Sequence, residues 1–174
     1  MKLETPRLII EPAAGAPPDQ LLPVFNSNPE YIANEEQVPG KTSYTLDDAG
    51  RYLAEEIDRE DSRCLVLRER TGSRIVGTAC LLVPNPSDGL PWLGLLLVHG
   101  ESQGHGIGAE ALQAIEHALA GEGWERLRIG VLLANGRARR FWGREGFHVV
   151  KKTTDTEGRP CWVMEKPLAA PGPR

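Results

Sequence analysis

The chain has 174 residues, 40% hydrophobic and 25% charged, the balance of a globular protein with a real core, which excludes disordered, collagen-like and coiled-coil classes. Its 20 Lys and Arg against 24 Asp and Glu give a formal net charge of −4, which argues against a nucleic-acid partner. No run nears the ~18 uninterrupted apolar residues of a membrane span, so no membrane partner is expected either.

The first residues, Met1-Lys2-Leu3-Glu4, lack the apolar stretch of a signal peptide, so the expected compartment is the cytoplasm. Thr5-Pro6-Arg7-Leu8-Ile9-Ile10 reads as a strand, broken by the Pro-, Ala- and Gly-rich stretch 12–18. A short helix is predicted over 19–25, then a turn cluster, Asn26-Ser27-Asn28-Pro29. Residues 30–43 show no sustained period and read as a weakly structured loop of the kind that often meets a substrate. Thr45 with Asp48 three residues on is an N-terminal cap signal, and Leu46, Ala49, Leu53 and Ile57 share one helical face to about Arg59. Two β-rich runs, 64–68 and 74–83, flank the hairpin signature Glu69-Arg70-Thr71-Gly72-Ser73, and a second turn cluster at 84–89 leads into the apolar run 90–98. Three consecutive strands of this kind predict an antiparallel meander. Cys64, Cys80 and Cys161 each sit in an apolar run without metal-ligand spacing, and read as buried thiols with no metal.

The second half alternates. A glycine-rich loop, 99–108, precedes a helix whose stripe is Ile107, Ala111, Leu112, Ile115, Ala118 and Leu119, ended by Gly121 and Gly123. A strand over 126–133, a helix over 138–145 and a strand from Phe147 follow, an order that demands parallel pairing. A polar hairpin then leads into Cys161-Trp162-Val163-Met164. One domain over 1–168 and a frayed tail over 169–174 are expected.

A strand ending at Val98, glycines at 100, 104, 106 and 108, and a helix start together make an anion site: glycine lets the backbone approach closely, and successive N–H groups with the helix dipole favour phosphate. A Walker loop requires Lys and then Ser or Thr after the last glycine, where Ala109-Glu110 stand. A dinucleotide fingerprint matches Gly104, Gly106 and Ala109 in pattern, yet the loop lies past mid-chain, and the residues left cannot build that fold around it.

Gln103-Gly104-His105-Gly106-Ile107-Gly108-Ala109 after Leu96-Leu97-Val98 resembles the coenzyme A signature of the GNAT family of N-acetyltransferases, which is Gln or Arg, two residues, Gly, one residue, then Gly or Ala. The stretch from Asn135 through Ala138, Phe141 and Trp142 to Gly146-Phe147 resembles that family's second motif, and Glu4-Thr5-Pro6-Arg7-Leu8 is similar to the start of many members. The resemblance implies one α/β domain with a mixed, mostly antiparallel sheet, splayed at its centre, and helices on both faces. It implies acetyl-CoA as donor, coenzyme A as product, and direct transfer to a primary amine of a small molecule or peptide. Leu96, Leu97 and Val98 would meet the pantetheine arm. Gln103, Gly104, His105, Gly106, Ile107 and Gly108 would form the pyrophosphate loop, Gln103 ordering it. Asn135 would hydrogen-bond the arm, and one of Arg137, Arg139, Arg140 and Arg144 would reach a phosphate, with Arg140 carried as the candidate.

Trp142 departs from the pattern, since many members place a tyrosine there as general acid and an indole N–H does not give up a proton at ordinary pH. Trp92 and Gly94 likewise stand where some members carry a base. The remaining candidates for base or amine anchor are Glu35, Glu36 and His99, with Tyr31 and Tyr44 near the same cleft; a histidine titrates near neutrality. These departures keep a non-catalytic acyl-CoA-binding module and a partner-dependent subunit open beside the enzyme. A homodimer is also left open.

Overall fold

The computed structural model describes residues 1–169, so most of the expected tail, residues 170–174, lies outside the described residues. The chain forms two compact units: Met1–Leu81 with Leu95–Ile115, and Leu82–Gly94 with the chain from Glu116 on.

The first unit begins with β1 (Leu3–Glu4) and β2 (Leu8–Pro12), paired antiparallel with Leu3 opposite Ile10. β2 pairs antiparallel with β3 (Ser62–Glu69), from Leu8 opposite Glu69 to Pro12 opposite Leu65. A hydrogen bond of 2.9 Å from the Glu69 amide to the Arg74 carbonyl closes the predicted turn into β4 (Ile75–Leu82). Helices α1 (Pro18–Asn26), α2 (Pro29–Glu36) and α3 (Leu46–Asp58) fill the interval between β2 and β3. Leu21, Val24, Phe25, Ile32, Ala49 and Leu53 from these helices join Val66, Ile75, Leu95 and Leu97 in one buried cluster. The cap read at Thr45 is present as a full capping box: the Thr45 hydroxyl accepts from the Asp48 amide and the Asp48 carboxylate from the Thr45 amide, an arrangement worth about 1 kcal/mol.

Two expectations for this unit are corrected. Residues 29–36 are helical, not a weakly structured loop: Pro29 starts α2, Ile32 anchors it at 0% exposure, and Gln37 ends it in the left-handed conformation at φ 51°. One buried residue in eight leaves no period to read. Leu46 leads α3 at 51% exposure, outside the apolar stripe assigned to it, whereas Ala49 and Leu53 of the same stripe are buried. As the first helical position, it stands at the end of the helix where the apolar face has not yet met its cover.

The second unit holds β6 (Arg126–Leu132), α5 (Gly136–Arg144), β7 (His148–Thr154) and β8 (Pro160–Pro167). β6 pairs antiparallel with β8 over seven residue pairs, and β8 with β7 over six, with an irregularity at Val149/Lys151. The nearly buried Glu165 carboxylate on β8 is met by Arg128 at 2.8 Å, so the charge is compensated where it leaves water.

β5 (Trp92–Val98) and α4 (Ile107–Gly121) each contribute residues to both units. The strand order is β1-β2-β3-β4-β5-β6-β8-β7, a mixed and mostly antiparallel sheet of eight strands. β5 and β6 are parallel, and their ladder consists of the single pair Trp92 and Arg128. Among the described residues, no helix is long and apolar enough to cross a membrane.

Candidate cofactor and acceptor sites

The glycine-rich loop takes its shape from β5 and from the turn after α1. The Val98 carbonyl accepts from Asn28 Nδ2 at 3.0 Å and from Gln103 Nε2 at 2.9 Å, and Gln103 Nε2 also donates to Asn28 Oδ1 at 2.7 Å. The Gly100 amide donates to Ser27 Oγ at 2.9 Å. His99 accepts at Nδ1 from the Glu101 amide at 3.2 Å, capping a single 3-10 turn over Gly100–Ser102. Gln103 is thus a brace between the strand end and the 27–28 turn.

Gly104 and Gly106 both have left-handed backbones, φ 76° and 79°, and His105 between them is exposed. A Cβ at 104 would meet no atom within 4 Å, so glycine is required there by φ alone, whereas a Cβ at 106 would also stand 3.4 Å from Arg7 Nη2. Ile107 is buried and begins α4, and Gly108 is its second residue. The Glu110 amide makes the first helical bond, to the Gly106 carbonyl at 3.0 Å, and the amides of 107–109 before it have no carbonyl within the helix, as at any helix start that receives an anion.

The other side of the loop is pinned by the turn between β1 and β2. Arg7 Nη1 donates to the His105 carbonyl at 2.7 Å, and Arg7 Nε to Glu110 Oε2 at 2.5 Å. The Thr5 hydroxyl and the Arg7 amide both donate to Glu110 Oε1. Burial works to raise the Glu110 carboxyl, but the hydrogen bonds from Thr5 and Arg7 together outweigh it and hold the group below its ordinary value of 4.5.

Glu35 and Glu36 lie on α2. Glu35 is exposed, and Glu36 Oε2 accepts from Lys41 Nζ at 3.1 Å; Lys41 also reaches Asp48 at 3.4 Å. Beside them Tyr31, Tyr44 and Tyr52 ring Phe25, with centroids 6.4, 5.3 and 5.2 Å from it. The Tyr31 and Tyr52 hydroxyls are 3.0 Å apart. Burial, reinforced by nearby carboxylates, pushes the Tyr31 and Tyr44 phenols well above their ordinary range, so both stay protonated. The His99 ring instead lines a cleft of about 490 Å³ with Gln20, Pro23, Arg68 and Ile75. Glu35 and Glu36 are helical neighbours and not residues of an extended segment, so they do not face opposite ways.

In the second unit, Asn135 Oδ1 accepts from the Ala138 amide at 3.0 Å and caps α5. Arg140 is exposed, and its Nη1 lies 3.5 Å from where a Cβ on Gly136 would be. Arg139 stacks over Trp162 at 4.9 Å. Trp142 packs edge-on to Phe141 and Phe147, centroids 4.9 and 5.3 Å away. Trp92 Nε1 donates to Asp88 Oδ2 at 2.9 Å.

Four residues that shape the loop carry no such role in the sequence alone: Ser27, Asn28, Arg7 and Glu110. The two pairs act across 70 or more positions of chain, and Asn26-Ser27-Asn28-Pro29 reads locally as an ordinary turn. Glu110, three residues into a predicted helix, reads as a first-turn acid.

The model of the acetyltransferase (GNAT) family matches residues 30–147, which takes in the loop, α4 and α5 up to Phe147. No curated protein matches the sequence. Among solved structures, an acetyltransferase from Thermus thermophilus is similar at 27% identity and a TM-score of 0.74, over 97% of this chain and 100% of that one. An acetyl transferase from Salmonella typhimurium that modifies the N-terminal serine of ribosomal protein L7/L12 shares the fold at a TM-score of 0.78 and 13% identity, over 97% and 100% of the two chains. A GCN5-related N-acetyltransferase from Brucella melitensis does so at 0.75 and 17%, over 95% and 77%. The chain belongs to the GNAT acetyltransferase family. Its class is N-acetyltransferase.

Proposed function

We propose that the protein transfers the acetyl group of acetyl-CoA directly to a primary amine of a small molecule or a peptide, in the cytoplasm. The observation that carries this reading is the loop 103–108, where two left-handed glycines without side chains lead into the start of α4, the arrangement by which backbone amides receive an anion. Pyrophosphate is the group such a row accepts. Leu96, Leu97 and Val98 on β5 would meet the pantetheine arm, whose amides add to the strand as a further segment would.

The chemistry asked of the chain is modest. The amine must be neutral when it attacks the thioester carbonyl, and an N–H near Val98 would hold the oxyanion. The His99 amide is already given to the Val76 carbonyl at 2.8 Å, which leaves the Val98 amide as the candidate. As the C–N bond forms and the C–S bond breaks, the nitrogen gives its surplus proton to solvent and the thiolate takes one from water, since the Trp142 indole N–H does not give up its proton at ordinary pH. On the acceptor side, the acidic pair Glu35 and Glu36 and the protonated Tyr31 and Tyr44 suit a cation. Lys41 holds an oxygen of Glu36 in the free protein, the place an incoming ammonium would take.

Gly106→Val tests the cofactor half. A β-branched residue at φ 79° is strained and its side chain presses on Arg7, so calorimetry is expected to show coenzyme A affinity lower by at least about a hundredfold in a folded variant. Unchanged affinity would remove the loop from the pyrophosphate site.

A further inference from the structure

We infer that Arg7 is a positioning residue for the donor: it aims the loop amides at the pyrophosphate and cancels the Glu110 charge that would otherwise repel it. The inference rests on the reading of the loop as the pyrophosphate site.

Two features of the geometry carry it. In a trans peptide the carbonyl and the next N–H point opposite ways. Arg7 Nη1 holds the His105 carbonyl at 2.7 Å, so the Gly106 amide is turned away from Arg7, toward the side on which the pyrophosphate would lie. His105 is flanked by the two left-handed glycines, the most freely rotating positions of the loop, and the Arg7 contact fixes the 105–106 peptide. The second feature is charge. Glu110 stands in the first turn of α4, where a carboxylate competes with a phosphate for the same helix end. Both its oxygens are instead turned onto Thr5 and Arg7, with the guanidinium bound to one of them, and its side chain is only 15% exposed. The β1–β2 turn therefore supplies the cation that keeps this helix start attractive to anions.

The roles predict separable results. In Arg7→Gln the Glu110 charge is uncovered and the 105–106 peptide released; coenzyme A affinity is expected to fall about tenfold by calorimetry. Pantetheine, which has no pyrophosphate, is expected to bind the variant within about twofold of the original affinity by ligand-observed NMR. Adding Glu110→Gln is expected to recover about threefold of the loss, because the repelling charge is gone, while the part owed to the released peptide remains. Arg7→Lys, which keeps the charge without the fork, should fall between and serves if Arg7→Gln does not fold. Equal losses for coenzyme A and pantetheine, or no recovery in the double variant, would overturn the inference, as would unchanged coenzyme A affinity in Arg7→Gln. If Gly106→Val also leaves coenzyme A affinity unchanged, the loop reading itself fails, a separate result.

Discussion

At position 106 three demands coincide on one residue: a φ of 79°, a carbonyl that receives the Glu110 amide at 3.0 Å, and an amide whose direction Arg7 sets through the preceding peptide. Glycine meets all three, and the position could be singled out in the sequence because a phosphate loop would need glycine there. The guanidinium that fixes the loop was not legible, since nothing near Arg7 in the sequence speaks of a partner about a hundred residues on. Trp142 is the reverse case, visible at once as a departure from the family pattern but silent on its consequence until its surroundings are known. Its ring is held edge-on by Phe141 and Phe147, a packing role that another aromatic ring can fill. Trp142→Phe is therefore expected to keep turnover within about threefold, measured at saturating acetyl-CoA. A thousandfold loss with intact donor binding would show a catalytic part for the indole N–H.

Elements with a repeating burial pattern were read well, and those held by one or two residues were not. The stripe of α4 and the capping box of α3 stood out because several residues repeat one message. α2 did not, since Ile32 is its one fully buried residue and its neighbour Tyr31 is only partly buried against the core, too few positions to make a period. The candidate acceptor residues Glu35 and Glu36 ride on that missed helix, which is why their relation to Lys41 and to the tyrosine cluster could not be anticipated. The joint between the β1–β2 turn and α4 gives a test at this scale. Because the folded Glu110 carboxyl lies below its ordinary 4.5, its contribution to stability is complete above that value and is lost as pH falls through the lower, folded value. Thermal unfolding followed by circular dichroism should show the original protein more stable than Glu110→Gln at neutral pH, with the gap closing below about pH 4.5. A constant gap across that range would mean that the carboxylate's charge contributes nothing.

For the molecule as a whole, the parallel pairing expected from the alternation of elements is present between β5 and β6, at Trp92 and Arg128, whereas β8 comes between β6 and β7 and runs antiparallel to both, a placement that chain order does not reveal. A candidate cofactor half of the site was readable in the sequence, because a phosphate held by backbone would leave its mark as glycine at fixed spacing. The acceptor half was not, because an amine is recognised by side chains whose positions depend on how α1, α2 and α3 pack around Phe25. The central claim, direct transfer from acetyl-CoA to an amine, is tested most directly by following free thiol over a panel of amines and peptides. Thiol release is expected only when an accepting amine is present, one equivalent per acetylated product, with no acetyl group on the protein by mass spectrometry. Thiol release without an amine, a stable acetyl-protein, or tight coenzyme A binding with no turnover across the panel would contradict it.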